Sequence, residues 1–265
     1  KKIFGRNLLQ RIDNIQATEF ARYKQTLGTQ WTIASQFSTQ CGMPINIKYV
    51  DYNNICLTDI LSNHGYYNIY LQGTSLDFTN KRSFLQKHNI NKMFGKEELV
   101  NQGVRLLSDW GVYDDDLFIK AKRLIKEMHD NGKLFNLTIL TGDTHEPGYA
   151  STSCKEKGIS SISDIVECSS NQIADLVHFI IQNGYLNDTN IVLIGDHLFP
   201  RDTVFNNIPK NKRYILNRFI SKDHYLPNRE EILHMDMLPT ILTFLGFKIQ
   251  GERMGLGKSG FNLLK

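Results

Sequence analysis

Between residues 114 and 132 the apolar positions recur at helical spacing. Leu117, Ala121, Leu124, Ile125 and Met128 share one face, Asp114, Asp115 and Asp116 open the run, and Gly132 closes it. A period near 3.6, with acids at the positive end of the helix dipole, predicts a long amphipathic helix. The same period puts Ile173, Leu176, Val177, Ile180 and Ile181 on one face of a helix over residues 170–183, stopped by Gly184. A different pattern follows. Ile191-Val192-Leu193-Ile194 is apolar without alternation, which predicts a strand covered on both faces in a parallel sheet. Gly195 breaks that run, and Asp196 and His197 come directly after it. Further strands are predicted over residues 66–71, 134–141 and 213–219, and short helices over 57–62, 81–87 and 239–245. Near the start, helical turns are expected around residues 4–9 and 20–23. Strands alternating with helices of these lengths predict an α/β fold, a mostly parallel central sheet with helices on both faces. No repeat, low-complexity stretch or linker interrupts the pattern, so residues 1–265 are expected to form a single domain.

Composition changes this picture little. Hydrophobic residues make up 41% of the chain and charged residues 22%, ordinary for a globular protein. A net charge of +4 suits an anionic substrate or a membrane surface, but no dense Lys/Arg tract points to nucleic acid. No apolar run approaches the roughly 20 residues that cross a bilayer, and no signal peptide is visible. The chain opens on Lys1 in a polar stretch, and the expectation is a fragment of something longer. Of its four cysteines no two are spaced C-x-x-C, which argues against a zinc knuckle or a thioredoxin motif. They fall as two local couples, Cys41 with Cys56 and Cys154 with Cys168. Three disulfide connectivities are open, as are four reduced thiols; the local couples are the expected pairing.

Candidate chemistry gathers where predicted strands end. In open α/β sheets ligands sit beyond the carboxyl ends of strands, so Asp196 and His197 are placed to hold a metal. The alternative is a helix-capping Asp beside an ordinary loop His. His145 follows the strand predicted over 134–141 in Thr141-Gly142-Asp143-Thr144-His145-Glu146-Pro147-Gly148-Tyr149 and is expected at the same sheet edge. Thr32 stands at or near the start of a helix, where free N–H groups suit a phosphate or an activated hydroxyl. Its plainer role there is that of an N-cap.

These parts resemble a known family. Gly28-Thr29-Gln30-Trp31-Thr32-Ile33-Ala34, followed by Ser38-Thr39-Gln40-Cys41-Gly42-Met43-Pro44, is similar to the nucleophile segment of periplasmic phosphoglycerol transferases. Those enzymes decorate osmoregulated glucans and group with lipoteichoic acid synthases and sulfatases in the alkaline phosphatase superfamily. Trp110-Gly111-Val112-Tyr113-Asp114-Asp115, the His145 segment, Asp196-His197-Leu198, His234-Met235-Asp236-Met237-Leu238-Pro239-Thr240 and Gly255-Leu256-Gly257 match in the family's order. The resemblance covers nearly the whole chain and implies an alkaline phosphatase/sulfatase-like fold.

Carried over by position, it makes Thr32 the nucleophile and a metal ligand, and Asp196 and His197 further ligands of the same divalent ion. That ion is expected to be Mn²⁺, with Mg²⁺ and Zn²⁺ as alternatives. His145 matches a substrate-site histidine that contacts phosphate or assists the leaving group. Gln72 and Lys81 fall where lipoteichoic acid synthases place a histidine and an arginine that grip glycerophosphate; lysine keeps the charge and loses the bidentate fork. The implied partners are the phosphatidylglycerol head group and a periplasmic glucan acceptor, in the periplasmic domain of an inner-membrane protein. Disulfides fit that location. The family's fourth ligand, a glutamate ending the first core strand, lies upstream of the residues matching Lys1, and no strand ending in Glu precedes Thr32 here. For His234 and Asp236 a structural role is expected. The rival readings are a phosphoethanolamine transferase, a phosphodiesterase, a sulfatase-like hydrolase, or an inactive domain that binds glycan or lipid head groups. Cys41-Gly42-Met43-Pro44 lacks the C/S-x-P-x-R context that a sulfatase needs.

Overall fold

The computed structural model describes residues 6–45, 54–106, 110–199 and 208–262. In chain order the regular elements begin with α1 (Gln10–Asp13), β1 (Arg22–Lys24), α2 (Thr32–Cys41), α3 (Leu57–Asn63), β2 (Tyr67–Gln72) and α4 (Lys81–Lys87). Then come β3 (Lys92–Phe94), α5 (Lys96–Asn101), α6 (Asp114–Asp130), β4 (Phe135–Leu140), α7 (Thr152–Lys155) and α8 (Ile162–Gln182). The last are β5 (Ile191–Ile194), β6 (Asn217–Ile220), β7 (Glu231–Leu233), α9 (Met237–Phe244), β8 (Arg253–Met254) and β9 (Gly257–Lys258). They gather into two compact units, Lys1–Ile15 with Leu61–Tyr185 and Gln16–Ile60 with Leu186–Lys265.

The first unit is built on a parallel sheet in the order β3-β2-β4, with Ile69 opposite Leu137 and Leu71 opposite Ile139. β2 is central, and Ile69 and Leu71 are fully buried. The two predicted amphipathic helices form and turn their apolar faces inward, Leu117, Ala121 and Leu124 from α6 and Ala174, Val177 and Ile180 from α8. α8 begins at Ile162 and not at the predicted residue 170, because Ser161 caps it: Ser161 Oγ accepts the Asp164 N–H at 3.2 Å. Beyond β2 a glycine lets two backbones pass at contact distance. Val112 N donates to Gly73 O at 2.9 Å, and a Cβ on Gly73 would lie 2.1 Å from Val112 O. The start of α6 is thereby fixed beside the end of β2.

The second unit pairs β1 with β7 in parallel and β5 with β6 antiparallel. Two expectations change here. Residues 20–23 were expected to be helical, yet Arg22–Lys24 is a strand. Tyr23 is fully buried between half-exposed Arg22 and Lys24, whose charges meet Glu230 and Glu231 at 2.9 and 2.6 Å. A three-residue alternation is too short to register as a period. The strand Ile191–Ile194 forms as predicted, but it is half-buried and its partner runs antiparallel, with Ile191 opposite Ile220. Four apolar residues report burial in general and not the direction of a neighbour. β6 itself starts at Asn217, later than the predicted 213. The turn expected around residues 4–9 lies partly outside the described residues; the helix nearest it is Gln10–Asp13. The core of this unit is aromatic: the Phe219 ring meets Phe20, Phe244 and Phe261 edge-on at 5.7, 5.2 and 5.0 Å. Such pairs add about 0.5–1.5 kcal/mol each beyond their burial.

Both local cysteine couples are bonded, Cys41 to Cys56 and Cys154 to Cys168, which removes the four-thiol alternative. They close loops of 15 and 14 residues, so each is worth about 3 kcal/mol on a chain-entropy argument.

Candidate active site

In the second unit the end of β5 and the start of α2 bring three predicted residues together. Gly195 turns the chain out of β5: its N–H donates to Leu216 O at 2.9 Å, and a Cβ there would meet Ile215 Cγ2 at 2.9 Å. Asp196 follows with its Oδ1 on the His197 N–H at 2.9 Å. Its Oδ2 accepts the Thr32 hydroxyl at 2.9 Å and lies 3.3 Å from His197 Nε2. Thr32 is the first residue of α2 and not its cap; the cap position is Trp31, extended at φ −146° and ψ 157°, with no side-chain hydrogen bond. The Thr32 hydroxyl thus serves Asp196 and not the helix end.

The imidazole of His197 shows what this cluster can hold. Its Nδ1 lies 2.9 Å from Leu198 O, a carbonyl that only accepts, so Nδ1 carries a proton. In the neutral ring Nε2 is then a lone pair facing the lone pairs of Asp196 Oδ2. A second ring proton or a cation resolves that opposition. Hydroxyl oxygen, carboxylate oxygen and an imidazole nitrogen oriented by a carbonyl form a donor set suited to a divalent ion.

Two supports stand behind this loop. Gln25 Oε1, just past β1, accepts the Leu198 N–H at 2.8 Å. His234, fully buried against the Tyr23 ring at 5.0 Å, places Nε2 2.5 Å from Asp196 O. Burial holds its pKa below the usual histidine value, so the ring is neutral and Nε2 is the donor. Nothing in the spacing of His234 marks it as a prop for a loop thirty-eight positions earlier. Asp236 accepts Leu233 N and Lys258 N at 2.8 Å each.

In the first unit Gln72 and Lys81 meet. Lys81, almost fully buried, donates from Nζ to Gln72 Oε1 at 2.7 Å, and Tyr70 OH donates to the same oxygen at 3.1 Å. Gln72 Nε2 donates to Thr74 O and Ser75 O, both at 3.0 Å. Every donor and acceptor of the Gln72 amide is taken. The structure therefore makes Gln72 a brace for Lys81, where a direct grip on substrate was expected.

His145 is exposed in the loop after β4, its Nδ1 2.9 Å from Glu146 O, so Nε2 is the acceptor it presents. Its ring lies on Trp110 at 4.5 Å, and Trp110 is stacked parallel to Tyr149 at 6.1 Å. The turn beneath it is closed by His145 N to Gly142 O at 3.0 Å and Tyr149 N to Asp143 O at 2.7 Å.

A sequence profile of the sulfatase family matches residues 3–247. Phosphoglycerol transferase I of Escherichia coli (strain SMS-3-5 / SECEC) is 33% identical over 271 positions, covering 93% of this chain and 35% of that protein. The chain thus spans about a third of the length of the curated relatives it matches. Among solved structures, the lipoteichoic acid synthase LtaP of Listeria monocytogenes superposes with a TM-score of 0.77 at 16% identity, over 97% of this chain and 71% of that one. Streptococcus pyogenes phosphoglycerol transferase GacH, in complex with sn-glycerol-1-phosphate, gives 0.57 at 15% identity, over 89% and 68%. The fold is alkaline phosphatase/sulfatase-like, as predicted.

Proposed function

This chain belongs to the sulfatase family, and we propose that it carries the catalytic residues of a phosphoglycerol transferase that uses one divalent metal ion and a covalent threonine intermediate. The supporting observation is the Thr32 hydroxyl, 2.9 Å from Asp196 Oδ2 with His197 Nε2 on the same oxygen. Thr32, Asp196 and His197 would hold the ion. When bound, the ion, Mn²⁺ first with Mg²⁺ and Zn²⁺ as alternatives, lowers the pKa of the hydroxyl and offsets phosphoryl charge.

Asp196 Oδ2 takes the Thr32 proton as Oγ1 forms its bond to the phosphorus of phosphatidylglycerol. The bond from phosphorus to the diacylglycerol oxygen breaks, and diacylglycerol leaves as an alcohol with a proton drawn from solvent water that donates to His145 Nε2. Glycerophospho-threonine remains. A hydroxyl of a periplasmic glucan then attacks the phosphorus and gives its proton to His145 Nε2, which passes it to solvent, while the bond to Oγ1 breaks and Thr32 regains its proton from Asp196 Oδ2. The open amides and dipole of the ten-residue α2 favour the anionic phosphoryl group at its first residue. Lys81, braced by Gln72, supplies positive charge for the glycerophosphate. Residues 1–265 act as one catalytic domain in this reading, on the periplasmic side of a membrane-anchored parent. Sulfate-ester hydrolysis through an oxidised cysteine is disfavoured, because Cys41 is tied to Cys56.

Intact mass after incubation with phosphatidylglycerol and Mn²⁺, without acceptor, tests the assignment. A glycerophosphate adduct is expected on the wild type, in this chain or in a form carrying upstream residues. Thr32→Ala should lose it, with turnover down on the order of 10³-fold or more. A phosphoethanolamine adduct would name the rival head group. No adduct on either folded form, with glycan still bound, would replace transfer by head-group or glycan binding.

A further inference from the structure

At the foot of the His145 loop two buried carboxyl groups are locked together. Asp114 is the first residue of α6 and Asp143 the second residue beyond the Thr141 that follows β4; they are 1% and 2% exposed. Each takes the other's backbone. Asp114 Oδ1 accepts Gly142 N–H at 2.7 Å and its Oδ2 accepts Asp143 N–H at 3.2 Å, while Asp143 Oδ1 accepts Asp114 N–H at 3.1 Å. Asp143 thus caps α6 from another segment, and Asp114 holds the first two amides of the loop. Asp143 Oδ2 is sealed from solvent.

We propose that Asp114 and Asp143 form a one-proton lock whose function is to position the loop carrying His145. They are positioning residues, acting through His145, and the proposal rests on the role given to His145 above. Two carboxylates this close and this buried cannot both stay charged without a cation, as in paired carboxylates generally. Among the described residues the groups that face them supply none. α6 adds Asp115, α8 adds the Ser169 hydroxyl on Asp114 Oδ2 at 3.3 Å, and the residue capping α7 adds the Ser151 hydroxyl, which gives Asp143 weak relief. Lys155 is directed to Tyr113 OH at 3.0 Å instead. Burial first, then the neighbouring Asp114 charge, pushes Asp143 up to about 8, and burial pushes Asp114 up to about 6. Asp114 accepts three hydrogen bonds, from Gly142 N, Asp143 N and the Ser169 hydroxyl, and Asp143 accepts one from Asp114 N, so Asp114 is the better-solvated anion that grips the two amides and Asp143 holds the shared proton. Loss of the last proton leaves two facing anions and releases the loop.

Hydrogen–deuterium exchange of peptides covering residues 142–149, corrected for the intrinsic pH dependence of exchange, reads the lock without any need for activity. In the wild type, protection should fall at least tenfold as pH rises through about 8. Asp143→Asn keeps the acceptor for Asp114 N–H and cannot ionise, so its protection should stay level over the same range. Asp143→Ala loses the acceptor and should be unprotected throughout. Wild-type protection that is flat across this range would overturn the proposal whatever the variants do, and so would equal protection in Asn and Ala. The rate of adduct formation on Thr32 supplies the second arm. If the protein forms an adduct, its alkaline fall should be smaller in Asp143→Asn. If it forms none, the proposed function fails while the exchange result still decides the lock.

Discussion

His234→Phe separates metal binding from stability. In the native protein His234 Nε2 donates to Asp196 O at 2.5 Å, while its Nδ1 is buried without a partner among the described residues. Phenylalanine keeps the ring volume against Tyr23 and removes both nitrogens. Losing the bond leaves the Asp196 carbonyl unpaired, at a cost of about 1–3 kcal/mol, and removing the orphaned Nδ1 returns a similar amount. The two terms nearly cancel, so thermal stability should change by less than about 1 kcal/mol. Metal affinity has no such compensation. Asp196 must present Oδ2 in one orientation, and losing the partner that fixes a ligand's backbone typically costs about 10–100-fold in affinity. Mn²⁺ titration by calorimetry, beside thermal unfolding of the metal-free protein, measures both quantities. An affinity within about twofold of wild type would refute the reasoning, because it would mean that β5 and Gly195 alone hold Asp196.

Other outcomes follow from single contacts. Lys81→Met should raise KM for phosphatidylglycerol about tenfold or more while leaving the melting temperature equal or higher, since a buried ammonium gives way to an apolar group of similar length; steady-state kinetics beside melting would show the split. Replacing Cys41 and Cys56 by serine should cost about 3 kcal/mol in denaturant unfolding, the value for the 15-residue loop they close. Asp143 carries a folded pKa raised from 3.8 to about 8, so its stabilisation is complete below pH 3.8 and is lost as pH rises through about 8. Asp143→Asn should accordingly gain on the wild type at alkaline pH, by about 2–4 °C in melting temperature per kcal/mol retained.

How far the chain could be read without coordinates depended on whether the signal was local. α6 was legible because seventeen residues give the 3.6 period time to repeat, with acids at one end and Gly132 beyond the other. α8 was legible in its apolar half and not in its start, which Ser161 marks by accepting the Asp164 N–H. β1 was missed because three residues give no period, and only its ladder with β7, more than two hundred positions later, makes Tyr23 a core residue. The candidate site divides the same way. Thr32, Asp196 and His197 were legible as chemical types placed after turn and strand signals and as matches to a family. What makes them a cluster, the shared Asp196 Oδ2, is a long-range contact across 164 positions. Gln72 shows the converse. Its position suggested a ligand group, but Thr74 O, Ser75 O, Tyr70 and Lys81 together exhaust its amide. Sequence position names the residue that stands at a site. Whether that residue touches substrate or holds the one that does depends on which of its hydrogen bonds are already made, and that is visible only once the chain has closed around it.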